Sequence, residues 1–387
     1  MTISNHIRRI VVLTAILAGC APLCAGATPH TTPEICVDLQ KVSNDDEKKI
    51  KIAECTARLA EIYYGPREDW PAIEVSGDVQ PEELGPLPLP VYEEENPFSD
   101  MKAELGRLLF NDPQLSKSGQ VACASCHEKE LGFTDRLKTP FGHDRQRGTR
   151  NAISIFNAGF YNEHFWDGRA KTLEAQMLEA WTNPVEMAAD PETGVENINS
   201  DALYQKMFDE VFGDPEITVE RVLKSLSVYV RSQTRRGRFD YFLKSRKKVL
   251  SEQQVWGLHL FRTKAKCMSC HSGPLMTDQQ YHNLGLHFYG RKNEDLGRFN
   301  ITGKPEDVGA FRTPTLRGVS KTGPWFHMGT FSDLKFVINM YNAGGYHPKP
   351  KGEQVNDPLF PASSPLLKKL NMSPEEKQAL KAFLETL

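Results

Sequence analysis

The chain has 387 residues, 39% of them apolar and 25% charged, with a formal net charge of −3. That length accommodates two compact domains, and the balance is globular, which excludes a disordered chain. With 47 Lys and Arg against 50 Asp and Glu, there is no basic surplus of the kind nucleic-acid binding needs, so no nucleic-acid partner is expected.

At the N-terminus, Arg8 and Arg9 precede the apolar run Ile10 to Ala18, which is too short to span a bilayer and has the form of an export signal. A periplasmic location is expected. Two cleavage sites compete. Leu17-Ala18-Gly19-Cys20 reads as a lipoprotein signal, which would make Cys20 a lipid anchor to the outer membrane. Ala25-Gly26-Ala27 fits ordinary signal peptidase; cutting there removes residues 1–27 and leaves Cys36 and Cys55 as an even pair beyond the cysteines discussed below. Residues 28–96 combine a charged helical stretch, Cys36 to Tyr64, with Pro-rich and acidic text from Gly65 to Pro97. They read as an appendage and linker, stapled by a Cys36–Cys55 disulfide.

From Pro97 onward the chain repeats itself. Gly106-Arg107-Leu108-Leu109-Phe110 precedes one Cys-x-Ser-Cys-His motif and Gly257-Leu258-His259-Leu260-Phe261 precedes a second; Thr134-Asp135 and Thr277-Asp278 follow at nearly equal distance. Each motif is introduced by a helix, with Met101, Leu105, Leu108 and Leu109 on one face in the first and Val255, Leu258 and Phe261 in the second, where Ser251 and Gln254 form a capping box. Another helix runs from Thr218 to Val230, and Ser373-Pro374-Glu375-Glu376 opens a last one toward Leu387. The fold class is mainly α, with long loops: two cytochrome c-like domains related by internal duplication, at 97–245 and 246–387, behind an N-terminal extension.

Covalent haem attachment needs two thiols at a fixed short separation, to form thioethers with the vinyl groups, and an imidazole to bind the iron. Cys123-Ala124-Ser125-Cys126-His127 and Cys267-Met268-Ser269-Cys270-His271 supply both sets. A zinc site would want further Cys or His at matching spacing, and a thiol redox pair would want a βαβ context. Two c-type haems are expected, with His127 and His271 as iron ligands. What occupies the sixth position on each iron separates carriers from catalysts.

Three further stretches, Asn157-Ala158-Gly159-Phe160 through Phe165-Trp166-Asp167-Gly168-Arg169, Asn183-Pro184-Val185-Glu186-Met187, and Phe311-Arg312-Thr313-Pro314-Thr315-Leu316, resemble the bacterial di-haem cytochrome c peroxidase and MauG family. The resemblance covers about residues 97 to 387 and implies that peroxide reacts at the N-terminal haem beneath Glu186 and Gln176. Splitting an O–O bond needs one group to take a proton and return it, which a carboxylate at the mouth of an apolar pocket can do. Trp166 matches a family tryptophan between the haems. His143 falls where many of these enzymes carry a removable sixth ligand, and an exposed loop histidine with no iron contact is the alternative. Asn151, with backbone oxygens of Thr322 and Pro324, matches a calcium site. The resemblance also allows a homodimer.

One position departs from the peroxidase pattern. Fourteen residues after His327, where those enzymes present a methionine to the second haem, this chain has Tyr341, as MauG does, with Met340 beside it. A phenolate stabilises oxidised iron and a thioether the reduced state. The expected function is reduction of hydrogen peroxide to water with electrons from a small periplasmic donor such as cytochrome c or a cupredoxin. The alternative is MauG-like oxidation of residues on a partner protein through high-valent iron.

Overall fold

A computed structural model describes Cys36, residues 42–245 and residues 247–387. The export signal, with Cys20 and Cys24, lies outside the described residues. In chain order the helices are α1 Asp45–Tyr64, α2 Asp100–Asn111, α3 Leu173–Thr182, α4 Pro191–Asn199, α5 Ala202–Phe212 and α6 Val219–Ser232. They continue with α7 Arg238–Ser245, α8 Glu252–Arg262, α9 Phe299–Thr302, α10 Leu334–Asn342 and α11 Pro374–Leu384. Among the described residues one antiparallel ribbon, β1 Tyr281–Asn283 with β2 Ala310–Arg312, pairs Tyr281 with Arg312. The chain is mainly helical, with long connecting loops.

The four helices read from the sequence beyond Pro97 form with the caps their sequences provide. Ser99 accepts from Lys102 N and opens α2, Thr218 opens α6, and reciprocal boxes of Ser251 with Gln254 and Ser373 with Glu376 open α8 and α11. Met101 departs from the expected face: it is exposed, and α2 buries Leu105, Leu109, Gly106 and the stem of Lys102 instead.

The repeated glycine has a geometric reason. A Cβ on Gly106 would lie 2.1 Å from the Ser225 carbonyl oxygen, and one on Gly257 would lie 2.0 Å from that of Ala379. Each glycine therefore lets two backbones touch, α2 on α6 in the first half and α8 on α11 in the second. The same crossing carries each Cys-x-x-Cys-His loop.

Two cores result. Leu105, Leu109, Phe133, Trp181, Phe208 and Leu226 belong to the first. The second includes Phe239, Trp256, Leu258, Phe261 and Phe383 together with Cys55, Leu59 and Tyr63 of α1. Each such fully buried side chain contributes about 1.5–3 kcal/mol. α7 lies in this second core through Phe239, Phe242 and Leu243, so packing divides the chain ahead of α7 rather than at 245.

The N-terminal extension is packed, not appended. Cys55, Leu59 and Tyr63 form an i, i+4, i+8 stripe on α1 that lies on α8, and Cys36 is disulfide-bonded to Cys55. The Tyr63 hydroxyl meets His259 Nδ1 at 3.1 Å and accepts from Arg262 at 3.1 Å. Beyond α1 the chain becomes a strap along the second Cys-x-x-Cys-His loop: Ser76 N donates to Ser269 Oγ at 2.9 Å, Gly273 N to the Glu82 carbonyl at 2.9 Å, and Glu83 pairs with Arg262. Its acidic, Pro-rich composition has the look of a linker, but Glu74, Glu83 and Glu93 pair with Lys266, Arg262 and Arg231 of the helical body.

Candidate functional site

Both Cys-x-x-Cys-His motifs fold as a single tight turn, with His127 N bonded to the Cys123 carbonyl at 3.0 Å and His271 N to that of Cys267 at 2.9 Å. None of the four cysteines is in a disulfide. Burial pushes the thiols of Cys123, Cys126 and Cys267 up to about 12, the reverse of what a thiol redox pair requires. His127 Nδ1 bonds the Phe133 carbonyl at 3.2 Å and His271 Nδ1 bonds that of Met276 at 3.1 Å, which turns Nε2 of each ring to the iron-binding role. Burial favours the neutral form of both rings, as a ligand must have. These residues fit covalent haem at both sites.

Phe133 and Met276, which aim the two imidazoles, both have left-handed backbone, with φ of 57° and 53°. They were not singled out in the sequence. Their signal is that each immediately precedes the repeated Thr-Asp pair.

His127 lines a cavity of about 1000 Å³, shared with Gln176, Glu186, Asn183 and Trp166. Gln176 projects from α3, whose N-cap Thr172 accepts from Ala175 N. Glu186 follows α3 in a tight turn closed by its own N–H to the Asn183 carbonyl at 3.0 Å, and Asn183 Nδ2 donates to Glu186 Oε1 at 3.0 Å. Burial raises the Glu186 carboxyl above the usual carboxylate range, against the opposing pull of the Arg169 guanidinium and the Asn183 bond. A shared proton-transfer group is poised this way. Asn183, inside the motif quoted for Glu186, is the support that sequence reading left without a role.

His143 is not among the residues lining that cavity. Its N–H donates to the Glu186 backbone carbonyl at 2.7 Å, and its ring lies 3.3 Å from the Asp144 carboxylate. Gly142 takes the cavity-facing place, and a Cβ there would stand 2.1 Å from the Val185 carbonyl. The loop is thus pressed on the Glu186 turn by its backbone.

His271 lines the second cavity, about 220 Å³, with Leu334, Val337, Ile338 and Tyr341 of α10. These four are spaced i, i+3, i+4, i+7, so they form one face of the helix. Met340 is buried elsewhere and does not line this cavity. The register of α10 therefore presents Tyr341 and withholds Met340. Burial raises the Tyr341 phenol, and no group among the described residues hydrogen-bonds it. Asn151, Thr322 and Pro324 line the same cavity; Asn151 Nδ2 donates to the Leu137 and Lys138 carbonyls at 3.0 and 3.3 Å, leaving the Oδ1 oxygen free to ligate.

Trp166 lines both cavities, as do Asn151, Tyr161 and Arg312. Around this common wall, Arg150 bridges the halves of the chain: it bonds Asp167 at 2.6 Å and forks onto Asp295 at 2.7 Å through two nitrogens. Among the described residues one group of three metal-ligating side chains occurs, Cys270, Asp278 and His282. It includes a haem-attachment cysteine, and His282 is already paired with Asp278 at 2.7 Å.

The fold and site together define a c-type cytochrome with two haem-attachment sites, one facing a cavity with acid–base groups. Residues 100–248 match the family model described as di-haem cytochrome c peroxidase. The cytochrome c551 peroxidase of Nitrosomonas europaea is 37% identical over 61% of this chain and 71% of its own length. The methylamine utilization protein MauG of Methylorubrum extorquens is 33% identical over 76% of this chain and 79% of its own. The crystal structure of a MauG-like protein associated with microbial copper homeostasis superposes with a TM-score of 0.70 at 32% identity, covering 78% of this chain and 93% of that one. The chain belongs to the di-haem cytochrome c peroxidase and MauG family, which implies two covalently bound c-type haems.

Proposed function

We propose that the protein is a periplasmic peroxidase that reduces hydrogen peroxide to water with electrons from a small donor such as a cytochrome c or a cupredoxin. The observation that carries this reading is the Glu186 carboxyl, held by Asn183 and raised by burial, on the cavity that His127 also lines. When bound, the haem supplies the iron at which the O–O bond is broken. Glu186 takes a proton from the near oxygen of peroxide and gives it to the departing one, while the Gln176 amide orients the substrate. Each peroxide consumes two electrons and two protons and yields two waters. Trp166 offers an aromatic path across the wall common to both cavities. A calcium ion held by Asn151 Oδ1 and the carbonyls of Thr322 and Pro324 would suit the second-cavity side of that wall, and chelation should then lower activity reversibly.

A second reading, MauG-like oxidation of a partner protein, is favoured by Tyr341 on the α10 face turned to the second cavity, since a phenolate favours oxidised iron. Steady-state consumption of peroxide with and without a reduced donor protein tests the choice. Turnover that depends on the donor supports the peroxidase. Peroxide-dependent modification of a second protein, with no donor requirement, supports the alternative.

A further inference from the structure

The wall between the cavities contains a buried cation with no counter-ion. Arg312 is 3% exposed and lines both cavities. Its Nε donates to the Phe165 carbonyl at 3.2 Å and its guanidinium lies 3.8 Å over the Tyr161 ring, but Nη1 is buried without a partner, and no carboxylate among the described residues pairs with it. The other cations on these walls differ. Arg150 is held by Asp167 and Asp295, Arg169 by Asp167 and Glu179, Arg317 by Asp240 and Lys266 by Glu74, while Arg147, Lys292 and Lys368 are exposed. A buried charge left unpaired is strongly unfavourable, so Arg312 calls for an anion from outside the polypeptide.

Its backbone is fixed where such an anion would be shared. Arg312 N donates to the Trp166 carbonyl at 2.8 Å, and the residue is locked in the ribbon opposite Tyr281. A guanidinium is a rigid fork whose separate N–H edges can serve two carboxylates.

We propose that Arg312 is the common counter-ion for one propionate from each haem, a bridge that couples the two sites electrostatically. The proposal rests on the two-haem reading above. It makes Arg312 a positioning residue that also sets both reduction potentials. A positive charge near the iron favours the reduced state, and a propionate beside a guanidinium keeps its charge to lower pH.

The test uses the holoenzyme, with haem counted by the pyridine haemochrome assay and each midpoint potential followed by spectroelectrochemical titration across pH. In Arg312→Gln both potentials should fall, and the onset of their pH dependence should move to higher pH. In Arg312→Lys, where one nitrogen reaches only one carboxylate, one potential should fall and the other hold. Variants that carry two haems with both potentials and pH profiles matching wild type overturn the proposal, and so does a shift confined to one haem in Arg312→Gln. Should Arg312→Gln fail to load haem, the Lys variant decides alone: unchanged potentials there reject the bridge. Fewer than two haems in the wild-type protein would instead reject the two-haem reading.

Discussion

The Trp166 indole donates from Nε1 to the Asn151 carbonyl oxygen at 3.0 Å, which pins the ring on the wall that both cavities share. Trp166→Phe keeps an aromatic ring but strands that buried carbonyl, at a cost of about 1–3 kcal/mol in stability. Electron exchange between the haems after one equivalent of peroxide should slow, while peroxide binding stays as it was. Rapid-mixing spectra of the two Soret bands measure both; equal exchange rates in the two proteins would remove Trp166 from the path.

Glu186 must be ionised to accept a proton. Because burial raises its pKa, kcat/KM for peroxide should be full above that raised value and decline as pH falls through it, earlier than for an exposed carboxylate. Glu186→Gln should cost about 10²–10⁴-fold and abolish this acidic limb. A pH profile unchanged by the substitution would move the proton transfer to another group.

With Tyr341 on the cavity face of α10 and Met340 off it, the two neighbours should give opposite results. Tyr341→Phe should alter the low-spin signal of the C-terminal haem in low-temperature paramagnetic resonance. Met340→Leu should leave it intact and cost less than about 1.5 kcal/mol. The reverse pattern would mean that α10 turns its other side to the haem. Since Gly142 and not His143 faces the first cavity, the fully ferric protein should also react with peroxide before any reduction, and His143→Ala should not change that rate.

Helix propensity alone favours alanine over glycine by about 1 kcal/mol, whereas the close crossings at Gly106 and Gly257 forbid the extra methyl. Gly257→Ala should therefore destabilise by about 1–3 kcal/mol, and Gly106→Ala should behave alike. Thermal melts of the holoprotein decide the sign, and a stabilised variant would contradict the crossing.

The haem loops were legible because their chemistry is local: two thiols and an imidazole within five positions. The duplication showed in Gly106 and Gly257, although only the packed structure gives the reason, a backbone carbonyl one helix away. Spacing pointed to Tyr341 over Met340 without deciding between them, since neighbours on a helix face different ways and the phase of α10 is set by Leu334, Val337 and Ile338. His143 was ambiguous because its loop is placed by a backbone bond to Glu186, forty-three residues on, which sequence does not reveal. The extension was misread as an appendage because charged residues cover the outer face of α1 and hide the stripe of Cys55, Leu59 and Tyr63.

That extension gives the chain a sequence of events. Tyr63 finds His259 and Arg262 at separations of 196 and 199 residues, so an early helix completes a core supplied by one far along the chain. Contacts of such span form late, because the intervening loop must close before they can reward it. Until then Ser76 and Glu82 are not in place beside Ser269 and Gly273, and the second loop lacks those two bonds. The second haem-attachment loop therefore takes its final shape only once the N-terminal extension has docked on it.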